Sequence, residues 1–229
     1  MKLAGLQKLT LLDDPGHVSC TVFVQGCNFQ CPFCHNSELI PLSTDAELDE
    51  EQLFSFLKKR KGILDSVCLT GGEPLLWTQT SELILRIRRM GYRVKLDTNG
   101  SFPERLETLV REGMVDYVAM DVKNSPVHYA RTVGCLHPPL ETVRKSVELL
   151  LSEKVDYEFR TTVVRELHDV QDMRAIGHWL KGAKRYFLQN FVCSPQVPDQ
   201  NLTPFSKQEL AVLRDTVLEF VPNTQIRGE

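Results

Sequence analysis

Three of the chain's seven cysteines, Cys27, Cys31 and Cys34, crowd into the stretch QGCNFQCPFCHN at 25–36. Thiolates at this spacing can hold zinc, exchange a disulfide or carry an iron–sulfur cluster. A structural zinc site needs four closed ligands, and His35 is the only nearby candidate for the fourth. Cys31-Pro-Phe-Cys34 has the spacing of a dithiol redox pair but leaves Cys27 unexplained. Loop thiols set among Gly, Asn, Gln and Pro make poor core filler. An iron–sulfur cubane is normally held by four thiolates. Three on one loop would leave one iron open to a substrate or cofactor, much as an open coordination position makes a zinc site catalytic.

Other residues of chemical interest are spaced along the chain in a regular way. TGGEP (70–74), DTNG (97–100) and MDVK (120–123) each end a β-rich run, and Arg160 lies within another. Paired glycines allow close backbone approach that a Cβ would block. Asn-Gly is also a common turn pair, so DTNG reads equally as a plain turn. The remaining cysteines, Cys20, Cys68, Cys135 and Cys193, read as core or loop thiols.

The elements that must position these residues alternate strand with helix. β-rich runs at 20–24, 66–70, 92–98, 116–122, 157–164 and 184–191 are each followed by an apolar pattern at helical spacing. Pro103 sits where a first helical position is expected, with a glycine at that helix's end. Six such units predict an α/β fold of parallel strands covered by helices. They are too few for a closed eightfold barrel, so an open (β/α)6 partial barrel is expected, with a flat doubly wound sheet as the alternative. Either architecture gathers ligands at the carboxyl ends of the strands, where the four motifs lie. One domain spanning 1–229 is expected, its C-terminal helix (206–220) closing the last unit.

Composition narrows the partners. A net charge of −3 gives no basic footprint for nucleic acid, and apolar runs such as LLL at 149–151 are far too short for a membrane span. The opening MKLAGLQKLTLLDDPG lacks the long apolar region of a secretion signal. A soluble, cytoplasmic protein is expected, and there an odd cysteine count favours ligands or catalysis over disulfides.

Cys-x-x-x-Cys-x-x-Cys after the first strand, paired with Gly-Gly-Glu-Pro after the second, resembles the radical S-adenosylmethionine (SAM) superfamily over nearly the whole chain. That resemblance implies one [4Fe–4S] cluster on Cys27, Cys31 and Cys34, with SAM chelated at the open iron. Reductive cleavage of SAM would give methionine and a 5′-deoxyadenosyl radical that removes a hydrogen atom from substrate. Gly71, Gly72 and Glu73 would hold the SAM amino group, Lys123 its carboxylate, and Arg160 would also contact SAM. Phe33 takes the place of an aromatic packed near the adenine. By resemblance to glycyl-radical enzyme activases, Asp97 and Thr98 would bind SAM. Together with Asp121 and the backbone of Ala119 they would also hold a monovalent cation. Where some activases carry a histidine near the adenine, this chain offers Phe191.

The stretch GLQKLTLLDDPGHVSCTVFVQGCNFQCPFCHN is most similar to the opening of short activating proteins for anaerobic (class III) ribonucleoside-triphosphate reductase. No second cysteine group precedes TGGEP, so no ferredoxin-like insert is expected. The implied substrate is a glycine of a partner glycyl-radical enzyme, with flavodoxin or ferredoxin as electron donor. Two alternatives stand beside it. One is small-molecule chemistry like that of 7-carboxy-7-deazaguanine synthase, served by the loop 124–139. The other is a non-catalytic iron–sulfur or zinc module.

Overall fold

The computed structural model describes residues 1–42, 48–135 and 138–228. Eight strands form a single sheet in chain order: β1 (Leu3–Thr10), β2 (Ser19–Val24), β3 (Ser66–Gly71), β4 (Arg93–Thr98), β5 (Tyr117–Asp121), β6 (Asp156–Val163), β7 (Tyr186–Asn190) and β8 (Thr224–Arg227). β1 runs antiparallel to β2, and every later pair is parallel. β1 and β8 are the two edges and do not pair with each other, so the sheet stays open. The six expected strands are β2 to β7, and the two edge strands are additions to them.

Helices cover one face. α1 (Glu50–Lys59) follows β2, α2 (Thr80–Arg89) follows β3 and α3 (Pro103–Arg111) follows β4. α4 (Tyr129–Val133) and α5 (Leu140–Leu151) follow β5, α6 (Val170–Trp179) follows β6, and α7 (Lys207–Leu218) follows β7. Local sequence sets their ends. Asp49 with Gln52, Asp169 with Asp172 and Ser206 with Glu209 form reciprocal caps, and Pro103 occupies the first turn of α3.

Alternation along the strands separates two chemistries. Val22, Val24, Val67, Leu69, Val94, Leu96, Val118 and Met120 are fully buried, in one apolar cluster with Leu53 and Leu57 of α1 and Ile84 and Ile87 of α2. The intervening positions form a polar concave side: Cys68 and Thr70, Lys95 and Asp97, Tyr117 and Asp121, Glu158 and Arg160. Its deeper layer is tied by Glu158, which is fully buried. That carboxylate accepts from Tyr117 Oη at 2.8 Å and from both terminal nitrogens of Arg227 at 2.8 and 2.9 Å. Burial would raise the Glu158 pKa, but the Arg227 guanidinium brings it below the usual range.

The loop 124–139 contains α4, while its residues 136–137 lie outside the described residues. No helix among the described residues is long and apolar enough to cross a membrane.

Candidate functional site

The cysteine loop leaves β2 and is clamped on both flanks by backbone contacts that only glycine permits. Gly71 has φ +118°, and a Cβ there would overlap the Val24 backbone. A Cβ on Gly72 would collide with the Gly26 carbonyl. The approach is sealed by Gly72 N donating to Val24 O at 2.9 Å and Glu73 N to Gly26 O at 2.8 Å. On the far flank, Gly134 (φ +62°) ends α4 directly against the Gln30 carbonyl, and Gln30 N donates to Val133 O at 2.9 Å. The glycine pair therefore locks two loops together.

The clamped loop forms one wall of a cavity of about 230 Å³ at the carboxyl ends of the strands. Cys27, Cys31 and Cys34 all line it, with Phe33, Gly71, Gly72, Asp97, Thr98, Asp121, Lys123 and Arg160. Burial pushes the Cys27 thiol up to about 11 and the Cys31 thiol to about 12, with the Lys123 cation pulling the other way on both. None of the three is in a disulfide. Cys27 Sγ accepts the Phe29 backbone N–H at 3.4 Å, and the Asn99 amide stands 4.0 Å from it. Asn99 is tied in turn to Asn28 at 3.0 Å, so DTNG reaches across to the cysteine loop and is more than a turn.

Across from the thiols, ionic side chains interlock. Asp97 Oδ1 meets Lys95 Nζ at 2.7 Å, and Oδ2 meets Arg160 Nη1 at 3.3 Å. Asp121 Oδ1 meets Arg160 Nε at 2.8 Å, and Oδ2 meets Lys123 Nζ at 2.9 Å. Burial would raise both carboxyls, but Arg160, with Lys95 on Asp97 and Lys123 on Asp121, holds them below the usual range. Burial would lower Lys123, but Asp121 together with the nearby Cys31 and Cys34 shifts it upward.

Two expected residues, Glu73 and Ala119, are not among those lining the cavity. The Glu73 side chain is fully buried behind Thr98 and Asn99 and does not itself line the cavity. Its Oε1 accepts from Leu75 N at 2.9 Å and Thr98 Oγ1 at 2.8 Å, and its Oε2 from Asn99 N at 2.7 Å. It braces the strand ends, and burial raises its pKa to about 7. Ala119 is buried beside Asp97 in the β4–β5 register and does not line the cavity. His35 lines the mouth, stacks on Phe191 at 5.7 Å and engages Val192 O through Nε2 at 2.6 Å. That bond occupies Nε2 and leaves Nδ1 as the ring nitrogen open to another partner. Among the described residues, no three His, Cys, Asp or Glu side chains stand close enough to hold a single metal ion.

The cavity also takes Thr70 and Asn99, which lie within TGGEP and DTNG, and Thr162 and Gln189, which no motif marked. Thr162 is two residues beyond Arg160 on β6, so the period of two along that strand was the available signal.

Comparison with known proteins bears on this arrangement. The family model for the radical SAM superfamily matches residues 21–179. A Methanocaldococcus jannaschii protein, provisionally named a glycyl-radical enzyme activating enzyme, is 30% identical over 98% of this chain and 95% of its own. The pyruvate formate-lyase-activating enzyme of Clostridium pasteurianum is 29% identical over 54% of the chain and 52% of its own. The 7-carboxy-7-deazaguanine synthase of Methanopyrus kandleri is 32% identical over 47% and 50%. The match to these last two thus spans only about half of their length. Among solved structures, Streptococcus suis SuiB bound to S-adenosylmethionine superposes with TM-score 0.69 at 13% identity, covering 90% of this chain and 49% of that one. A domain of pyruvate-formate lyase-activating enzyme from Bacteroides vulgatus gives TM-score 0.58 at 15% identity, covering 71% and 99%. Those two likenesses speak to the fold alone. The family model and the near full-length relative go further: this chain belongs to the radical SAM superfamily.

Proposed function

We propose that the chain is a glycyl-radical enzyme activase that reductively cleaves SAM and removes a hydrogen atom from a glycine of anaerobic ribonucleoside-triphosphate reductase. The observation that carries the SAM chemistry is the convergence on one cavity of three loop cysteines, the Gly71–Gly72 strand end and a set of fixed cations. Superfamily membership implies a [4Fe–4S] cluster and SAM. The residues fit them: three thiols outside any disulfide share a wall, one already accepts an N–H···S bond, and no fourth cysteine lines the cavity. When bound, a cluster with one iron free supplies the electron that breaks the SAM sulfonium bond.

Within this reading Cys27, Cys31 and Cys34 hold the cluster. Lys123 and Arg160 orient the SAM carboxylate, and Phe33 with Phe29 and Ile40 walls the cavity against water. The Glu73 carboxylate acts indirectly by fixing Thr98 and Asn99. The activase class is supported by the near full-length likeness to the M. jannaschii protein. The reductase partner rests on the wording of residues 5–36, and flavodoxin or ferredoxin is the electron donor that goes with it.

A second reading, chemistry on a small purine-like molecule, is favoured by the likeness to 7-carboxy-7-deazaguanine synthase. Electron paramagnetic resonance separates the two. The anaerobically reconstituted, reduced protein is mixed with SAM and the reductase. A glycyl radical on the reductase is the expected outcome. Turnover of a free deazapurine precursor with no radical on the partner would instead establish the second reading.

A further inference from the structure

Resemblance to the activases assigned Asp97, Thr98, Ala119 and Asp121 to a monovalent cation, and the structure shows a different arrangement. The four carboxylate oxygens of Asp97 and Asp121 are already matched one by one: Lys95 on Asp97 Oδ1, Arg160 on Asp97 Oδ2 and Asp121 Oδ1, and Lys123 on Asp121 Oδ2. Three side-chain cations thus face two carboxylates, leaving an excess positive charge before any ion arrives. A metal cation entering here would meet repulsion and would have to displace an ammonium or guanidinium group. Lys95 is decisive. Its side chain is 2% exposed, it rises from the polar side of β4 beside Asp97, and Cys68 Sγ stands 3.9 Å from its Nζ. An ammonium so buried has little reason to leave its carboxylate.

We propose that Lys95 is a built-in counter-ion that takes the part of the monovalent cation, so that SAM binds to this chain without one. Lys95 is a positioning residue. It holds Asp97, Asp97 holds Arg160, and the surplus charge of the group attracts the ligand carboxylate. The inference rests on the reading of this cavity as the SAM site.

The test is SAM affinity of the anaerobically reconstituted holoprotein by equilibrium dialysis, in potassium, sodium or tetramethylammonium chloride at equal ionic strength. The wild-type dissociation constant is expected to agree across the three salts within about threefold. Tighter binding in potassium or sodium by more than that overturns the proposal. Lys95→Gln is expected to bind at least about tenfold more weakly in tetramethylammonium and to be rescued by potassium or sodium. Such rescue is a readout that a purely structural lysine would not give. A folded Lys95→Gln protein that binds equally well in all three salts overturns the role of Lys95. Should that variant not fold, the wild-type comparison still decides, and so does thallium-205 resonance, which should show no saturable site on the wild type. Loss of SAM binding in every salt, with the cluster intact, would overturn the site assignment and this inference with it.

Discussion

At the scale of residues, glycines, thiols and one carboxylate have separable jobs that mutation can expose. Gly72→Ala sets a methyl group into the Gly26 carbonyl, which is backbone and cannot rotate away. A loss of about 1–3 kcal/mol is expected by chemical denaturation. Cys31→Ala should leave the fold standing, yet iron and acid-labile sulfide per chain after reconstitution should fall to background, because two thiolates cannot fix a cubane. Glu73 predicts a pH response. Burial raises its pKa from 4.5 to about 7, so between those values the folded chain keeps a proton that the unfolded chain has released. Its contribution is fully present below pH 4.5 and is lost as pH rises through 7, a change of about 3 kcal/mol. In Glu73→Gln the fall in stability over that window should be smaller by that amount, as measured by denaturation at several pH values.

At the scale of elements, β2 to β7 and their helices were legible because burial enforces period: apolar side chains on one strand face, and helices with apolar stripes to meet them. β1 escaped notice since an edge strand is half solvated. In LAGLQKLT the residues Gln7, Lys8 and Leu9 are exposed, and Gly5 interrupts the pattern. β8 has only four residues, too few for alternation to register. The cysteine loop announced itself by spacing, whereas Gln189 is an ordinary polar residue whose placement emerges only once strand register is known. Sequence adjacency to Gly72 likewise says nothing of where the Glu73 side chain turns, which is toward Thr98 and Asn99. The polar floor gives a prediction at this scale. Arg227→Met leaves the fully buried Glu158 without its bidentate partner and should cost about 3 kcal/mol or more. Adding Glu158→Gln should recover most of that loss in a double-mutant cycle.

At the scale of the whole molecule, an open sheet does two things at once. Its convex side packs helices into a continuous apolar cluster, and its concave side is free to remain polar and ionic up to the strand ends. The thiols and the ionic side chains share one cavity because the loop after β2 and the ends of β4, β5 and β6 all lie at the carboxyl end of one parallel run. A reactive centre can then be held on one side and its ligand oriented from the other. The central claim is that this cavity cleaves SAM on a cluster held by three thiolates. The direct measurement is 5′-deoxyadenosine released from SAM by the anaerobically reconstituted, reduced protein, set beside its three single Cys→Ala variants. Release by the wild type, and none from Cys27→Ala, Cys31→Ala or Cys34→Ala, is the predicted result. No release by an intact wild-type protein that carries zinc in place of iron would contradict the account.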